Sequence, residues 1–162
     1  MSDLRNPIPI YLLAAVGLFL FLGCGKKITK EQHQALASVA LSAKERAVAF
    51  ELVRAFMLDE KSGYLDSHSR GLASDAKALS DFSKAASMGA LKPASIDAIK
   101  VAAENARARH QNFVAAMSRL QIRAETLPPD KFVEFLATHE LALAVLANQI
   151  EMVALMLVEE KK

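Results

Sequence analysis

From residue 30 onward, apolar residues return at alternating intervals of three and four, and few architectures accept that period over such a length. The cleanest stripe is Ile96, Ile99, Ala103, Ala106, His110, Phe113, Met117, Leu120 and Ala124. Pro93 sits where the first turn of a helix tolerates it, and Thr126-Leu127-Pro128-Pro129 closes the segment. A second stripe follows from a start near Asp130: Phe132, Leu136, His139, Leu143, Leu146, Ile150, Val153 and Leu157. An earlier one carries Leu36, Val39, Ala43, Ala47, Phe50, Val53 and Met57. It opens at Thr29-Lys30-Glu31-Gln32, which fits a capping box, and it predicts a helix to about Lys61.

Ser62-Gly63 and the polar stretch to Gly71 interrupt this pattern, and a shorter helix from about Leu72 to Ser87 carries Leu79 and Phe82. Gly63 and Gly71 would each cost about 1 kcal/mol inside a helix, which favours a break over residues 59–75. A helical 59–75 would instead merge the first two helices into one rod. The expected fold is therefore all-α, an antiparallel helical bundle of three to four helices, with three of them spanning about 32 residues or roughly 48 Å.

Composition agrees. Apolar residues form 52% of the 162 residues but aromatics only 6%, so the apolar content is chiefly Ala and Leu, which favour helix over sheet. Six Gly and five Pro are too few for the turns of an all-β fold. Net charge is +2 with both signs mixed along the chain, which excludes the concentrated basic face that nucleic-acid binding needs. The one Cys leaves no internal disulfide.

That Cys ends a distinctive segment. An apolar run from Ile8 to Leu22 finishes in Leu20-Phe21-Leu22-Gly23-Cys24. This resembles the bacterial lipobox, with Phe21 where leucine is most usual, and with a small residue before a cysteine that receives diacylglycerol. The resemblance implies a signal peptide over 1–23, lipidation of Cys24, a tether over 24–29 and a bundle domain over 30–162. Each buried methylene contributes about 0.8 kcal/mol, and more than one acyl chain is needed for stable anchoring. Gly25, in place of the Asp that often marks inner-membrane retention, implies outer-membrane delivery with the domain facing the periplasm. The competing reading is an uncleaved span of about 17 residues, at the short end for a bilayer crossing. Lys26, Lys27 and Lys30 would then hold the domain in the cytoplasm.

The last helix is apolar beyond its seam. Leu141, Val145, Met152 and Leu155 occupy other faces, together with Met156 and Val158. A helix apolar on several sides is usually central and buried. The alternative is a contact face for a protein partner or a homo-oligomer, made of Leu141, Val145, Met152 and Leu155. A second membrane span is disfavoured by Asn148, Gln149 and Glu151, since an acidic residue at a bilayer centre costs about 3 kcal/mol.

Catalytic patterns are missing. His110 and His139 lie on seams, but a turn near 127–128 offsets them by about six residues, near 9 Å, too far for a shared metal bonded at about 2 Å. Residues three before the four histidines are Lys30, Leu65, Arg107 and Leu136, so the Glu-x-x-His of di-iron bundles does not occur. Cys-x-x-Cys-His, Gly-rich phosphate loops, Gly-x-Ser-x-Gly and His-Glu-x-x-His are likewise absent. The seam histidines His110 and His139 read as buried and hydrogen-bonded, with a pH-responsive packing role as the alternative. Asp59 to Asp75, including Tyr64, Asp66, His68 and Arg70, reads as a solvated connector.

The expectation is a non-enzymatic, cofactor-free, lipid-anchored bundle that acts as an interaction or structural component of the bacterial cell envelope. An extracytoplasmic ligand-sensing bundle is the alternative.

Overall fold

The computed structural model describes residues 27–60, 63–123 and 125–158. Cys24 and the apolar run before it lie outside the described residues, as does Ala124. Among the described residues, four helices follow one another: α1 (Lys30–Arg54), α2 (Tyr64–Ser87), α3 (Pro93–Ala116) and α4 (Pro129–Val158). Two-residue strands, β1 (Met57–Leu58) and β2 (Gln121–Ile122), lie in the first and third connections. The chain is an all-α helical bundle. α1 packs chiefly on α2 and α3 on α4, and contacts of α1 with α4 and of α2 with α3 close the ring.

Local chemistry sets most helix ends. At α1 the capping box forms: the Gln32 amide N–H donates to Thr29 Oγ1 (3.2 Å), and the Thr29 N–H donates to Gln32 Oε1 (2.9 Å). Gln32 is itself buried, and its Nε2 donates to the carbonyl of Met156 (2.9 Å), tying the start of α1 to the end of α4. α2 ends in a Schellman turn. Gly89 adopts a left-handed φ of 66°, its N–H donates to Ala86, and the Ala90 N–H donates to Ala85.

Three helix boundaries differ from the sequence pattern. α1 stops at Arg54, short of Lys61, because residues 55–58 turn away and Met57 and Leu58 pair antiparallel with Ile122 and Gln121. The same pairing ends α3 at Ala116, ten residues before Thr126, through a 3-10 turn over Met117–Arg119. This clip is bought with tertiary contacts that no local propensity announces; the Arg123 N–H donating to Phe56 O (2.9 Å) extends it. α2 starts at Tyr64, eight residues ahead of Leu72, so it is as long as α3. Gly63 supplies the left-handed φ of 59° before it, and the Asp59 carboxylate accepts from the Leu65 N–H (2.8 Å) in place of a cap.

Gly71 lies inside α2, against the expected break. A β-carbon there would fall within the guanidinium of Arg109, which crosses from α3 to bond Asp75 Oδ2 through Nε at 2.7 Å. The glycine is therefore a slot for an arginine, and the helical cost of glycine is offset by a mostly buried ion pair.

All eight seam residues of α4 are buried. The core divides into two clusters along the bundle. The one near the start of α1 is aliphatic and rich in alanine, including Leu36, Ala43, Leu79, Ile99, Ala106, Ile150 and Leu157. The one beneath the clip is aromatic, built on Phe50, Phe113 and Phe132 with Leu65, Leu72, Leu136 and Leu143.

Candidate functional site

The aromatic half of the core encloses two histidines. His68 (3% exposed) comes from α2 and His139 (0%) from α4, and their Nε2 atoms lie 3.0 Å apart. Rings surround them. Phe50 meets His68 edge-on at 4.6 Å and lies tilted by 31° against His139 at 4.8 Å, Phe113 meets both, and Phe135 stacks on His139 at 5.5 Å with an 18° tilt. The Tyr64 hydroxyl lies 3.3 Å from His68 Nδ1. A consistent chain has the Tyr64 O–H donate to His68 Nδ1 and the His68 Nε2–H donate to His139 Nε2. His139 Nδ1 is then left buried with no hydrogen-bond partner among the described residues.

Electrostatics hold the pair neutral. Burial pushes His68 down to about 4, helped by the positive charge of Arg109. His139 is pushed lower still, first by burial, then by Arg46 and then by His68. Arg46 reaches it through a ring, since its guanidinium stands 5.9 Å over Phe135, which stacks on His139. Burial also pushes the Tyr64 phenol up to about 12, so Tyr64 keeps its proton.

The sequence placed these groups unevenly. His139 is buried as its seam position predicts. His68 is not in a solvated connector: the helical phase of α2, starting at Tyr64, turns it inward. The signal was Leu65, His68, Leu72, Asp75, Ala76 and Leu79 at three-four spacing, concealed by polar members of the stripe. His110 is only partly buried, with Nε2 3.9 Å from Glu140 Oε1. Among the described residues, no three His, Cys, Asp or Glu side chains gather as a metal site. Two imidazoles walled by phenylalanines make a packing element with little to offer a polar substrate.

The outer side of α4 is the second feature. Leu141 (66% exposed), Val145 (46%), Met152 (62%) and Leu155 (54%) all reach solvent, so α4 is a peripheral member of the ring and not a central helix covered on every side. Beside it, a groove of about 460 Å³ runs between α1 and α4, lined by Ser42, Glu45, Arg46, Leu141, Val145 and Gln149. A larger open groove of about 860 Å³ lies between α1 and α2, floored by Ala37, Ala40, Ala73 and Ala76. By length and composition α4 is also apolar enough to cross a membrane, with 39% of its most apolar window buried inside the bundle. Compared with family models, with curated proteins and with solved structures, the chain matches none of them.

Proposed function

We propose that this chain is a lipid-anchored, non-enzymatic helical bundle that serves as an interaction component of the bacterial cell envelope, with the outer face of α4 as its contact surface. The observation that carries this reading is the exposure of Leu141, Val145, Met152 and Leu155 on a helix whose opposite face is fully committed to the core. Leaving four large apolar side chains in water forgoes the stabilisation that burial gives, roughly 1.5–3 kcal/mol for each side chain fully covered. A contiguous patch of this kind marks an interaction site. The lipobox-like Leu20-Phe21-Leu22-Gly23-Cys24 supplies the anchor, and Gly25 directs it to the outer membrane with the bundle in the periplasm.

Two measurements test the two halves of the reading. Lipid labelling and fractionation in a bacterial host should show labelled, membrane-bound protein that loses both properties on Cys24→Ala. An unlabelled, uncleaved protein still in membranes overturns lipidation in favour of a transmembrane anchor. Val145→Glu with Met152→Glu should release envelope partners from a still-folded protein, and retained association overturns the contact surface.

A further inference from the structure

We infer that the partner of this face is a second copy of the same chain, with α4 packed on α4 across a twofold axis that sets Asn148 opposite Asn148. The inference rests on the reading of α4 as a contact surface and names what covers it.

The first ground is spacing. Leu141, Val145, Asn148, Met152 and Leu155 follow one another at four, three, four and three residues, and all five are exposed. This repeats, on the outer side of α4, the knobs-into-holes seam of a two-helix coil. No charged residue interrupts it. α4 thus carries two such stripes, one buried in its own bundle and one unpartnered.

The second ground is the amide. Asn148 stands at the centre, with Leu141 and Leu155 each seven residues away. Against a purely apolar partner, its amide would lose water and gain no hydrogen bond, a cost that interfaces avoid. Against its own copy, each amide can donate an N–H to the other's carbonyl oxygen and accept one in return. A single polar residue in an apolar seam fixes register in this way. An isologous contact places the residue on the axis opposite itself, whichever direction the two helices run.

The third ground is area. Leu141, Val145, Met152, Leu155 and Met156 together leave on the order of 500 Å² exposed per chain, against roughly 800 Å² per partner in a standard interface. Asn148, Thr138 and Gln149 extend the patch, so a dimer at the small end of specific interfaces is covered. Tethering in one membrane would raise its effective concentration further. A bilayer is the poorer occupant. Helices that lie on anionic lipid carry Lys and Arg on their polar flanks, whereas α4 carries Asp130, Glu134, Glu140 and Glu151 against one Lys131.

The test is site-specific photo-crosslinking of the full-length chain in a bacterial host, with two differently tagged copies expressed together. A photoreactive residue at 152, with Asn148 intact, should give an adduct of twice the chain mass carrying both tags. The same residue at Lys77, exposed on α2, should give none. Asn148→Glu, which sets two carboxylates face to face, should cut the yield from 152 at least tenfold, and Asn148→Gln should retain it. An adduct from 152 with a different mass and one tag overturns self-pairing while leaving the contact surface intact. An adduct to lipid, or none at all, also overturns self-pairing. In that case the Val145→Glu, Met152→Glu release assay decides separately whether the contact surface stands.

Discussion

His68 Nε2 and His139 Nε2, from positions 71 residues apart, approach to 3.0 Å with room for one proton between them. The arrangement tolerates two neutral imidazoles, or one protonated ring donating to the other. It does not tolerate two N–H groups facing each other in a phenylalanine-walled space, with Arg109 and Arg46 adding positive charge nearby.

The pair therefore makes the bundle acid-sensitive. Both folded-state values lie below the ordinary 6.5, so the unfolded chain binds more protons than the folded one once the pH falls below that value. The stability present above pH 6.5 is lost as pH falls toward 4. For His68 the loss is about 3 kcal/mol at the lower limit. Urea unfolding followed by circular dichroism between pH 8 and pH 4 measures it. His68→Leu with His139→Leu should remove most of this slope at little cost at pH 8, because both partners of the hydrogen bond leave together. An unchanged slope in that variant would assign the acid sensitivity to other groups.

Gly71→Ala is expected to destabilise by about 2–3 kcal/mol despite the better helix propensity of alanine. The new methyl displaces the Arg109 guanidinium and strands Asp75, which is buried. Arg109→Ala alone should cost a similar amount, and adding Gly71→Ala to it should then be neutral or favourable, since the slot is empty. Thermal melts of the three variants form the cycle; strict additivity would contradict the slot.

Gln32 acts on the first turn of α1 and the last turn of α4 at once. Gln32→Ala removes the acceptor for the Thr29 N–H, leaving the bond to Thr29 Oγ1, and removes the bond to the Met156 carbonyl, with an expected loss of about 1–2 kcal/mol. Hydrogen exchange should rise in the first turn of α1 and, through that bond, in the last turn of α4. A rise confined to α1 would mean that the link to Met156 carries no load.

The two faces of α4 should respond oppositely to substitution. Ile150→Ala, at a fully buried site, should cost about 2–5 kcal/mol. Leu141→Ala and Leu155→Ala should each change the stability of the isolated chain by less than about 0.5 kcal/mol. Chemical denaturation at low protein concentration makes the comparison without contribution from association.

The helices and their inward faces were legible because the three-four period is a local property of the chain. α4 met that expectation at every seam position from Phe132 to Leu157. The clip was not legible, since Met57-Leu58 and Gln121-Ile122 become strands only by finding each other across the fold. Gly71 misled for a related reason: its purpose lies in an arginine 38 residues later. His68 was obscured because a stripe with polar members at 68 and 75 looks solvated until their partners, His139 and Arg109, are known.

The clip also bears on how the molecule comes apart. α1 with α2 and α3 with α4 are hairpins of contacts between consecutive helices, so closing each costs little chain entropy. Met57 pairing with Ile122 joins one hairpin to the other, and His68 and His139 face each other across the same joint. Acid therefore strikes the molecule at the seam between its halves, where Phe50 of one hairpin and Phe113 and Phe132 of the other share a core.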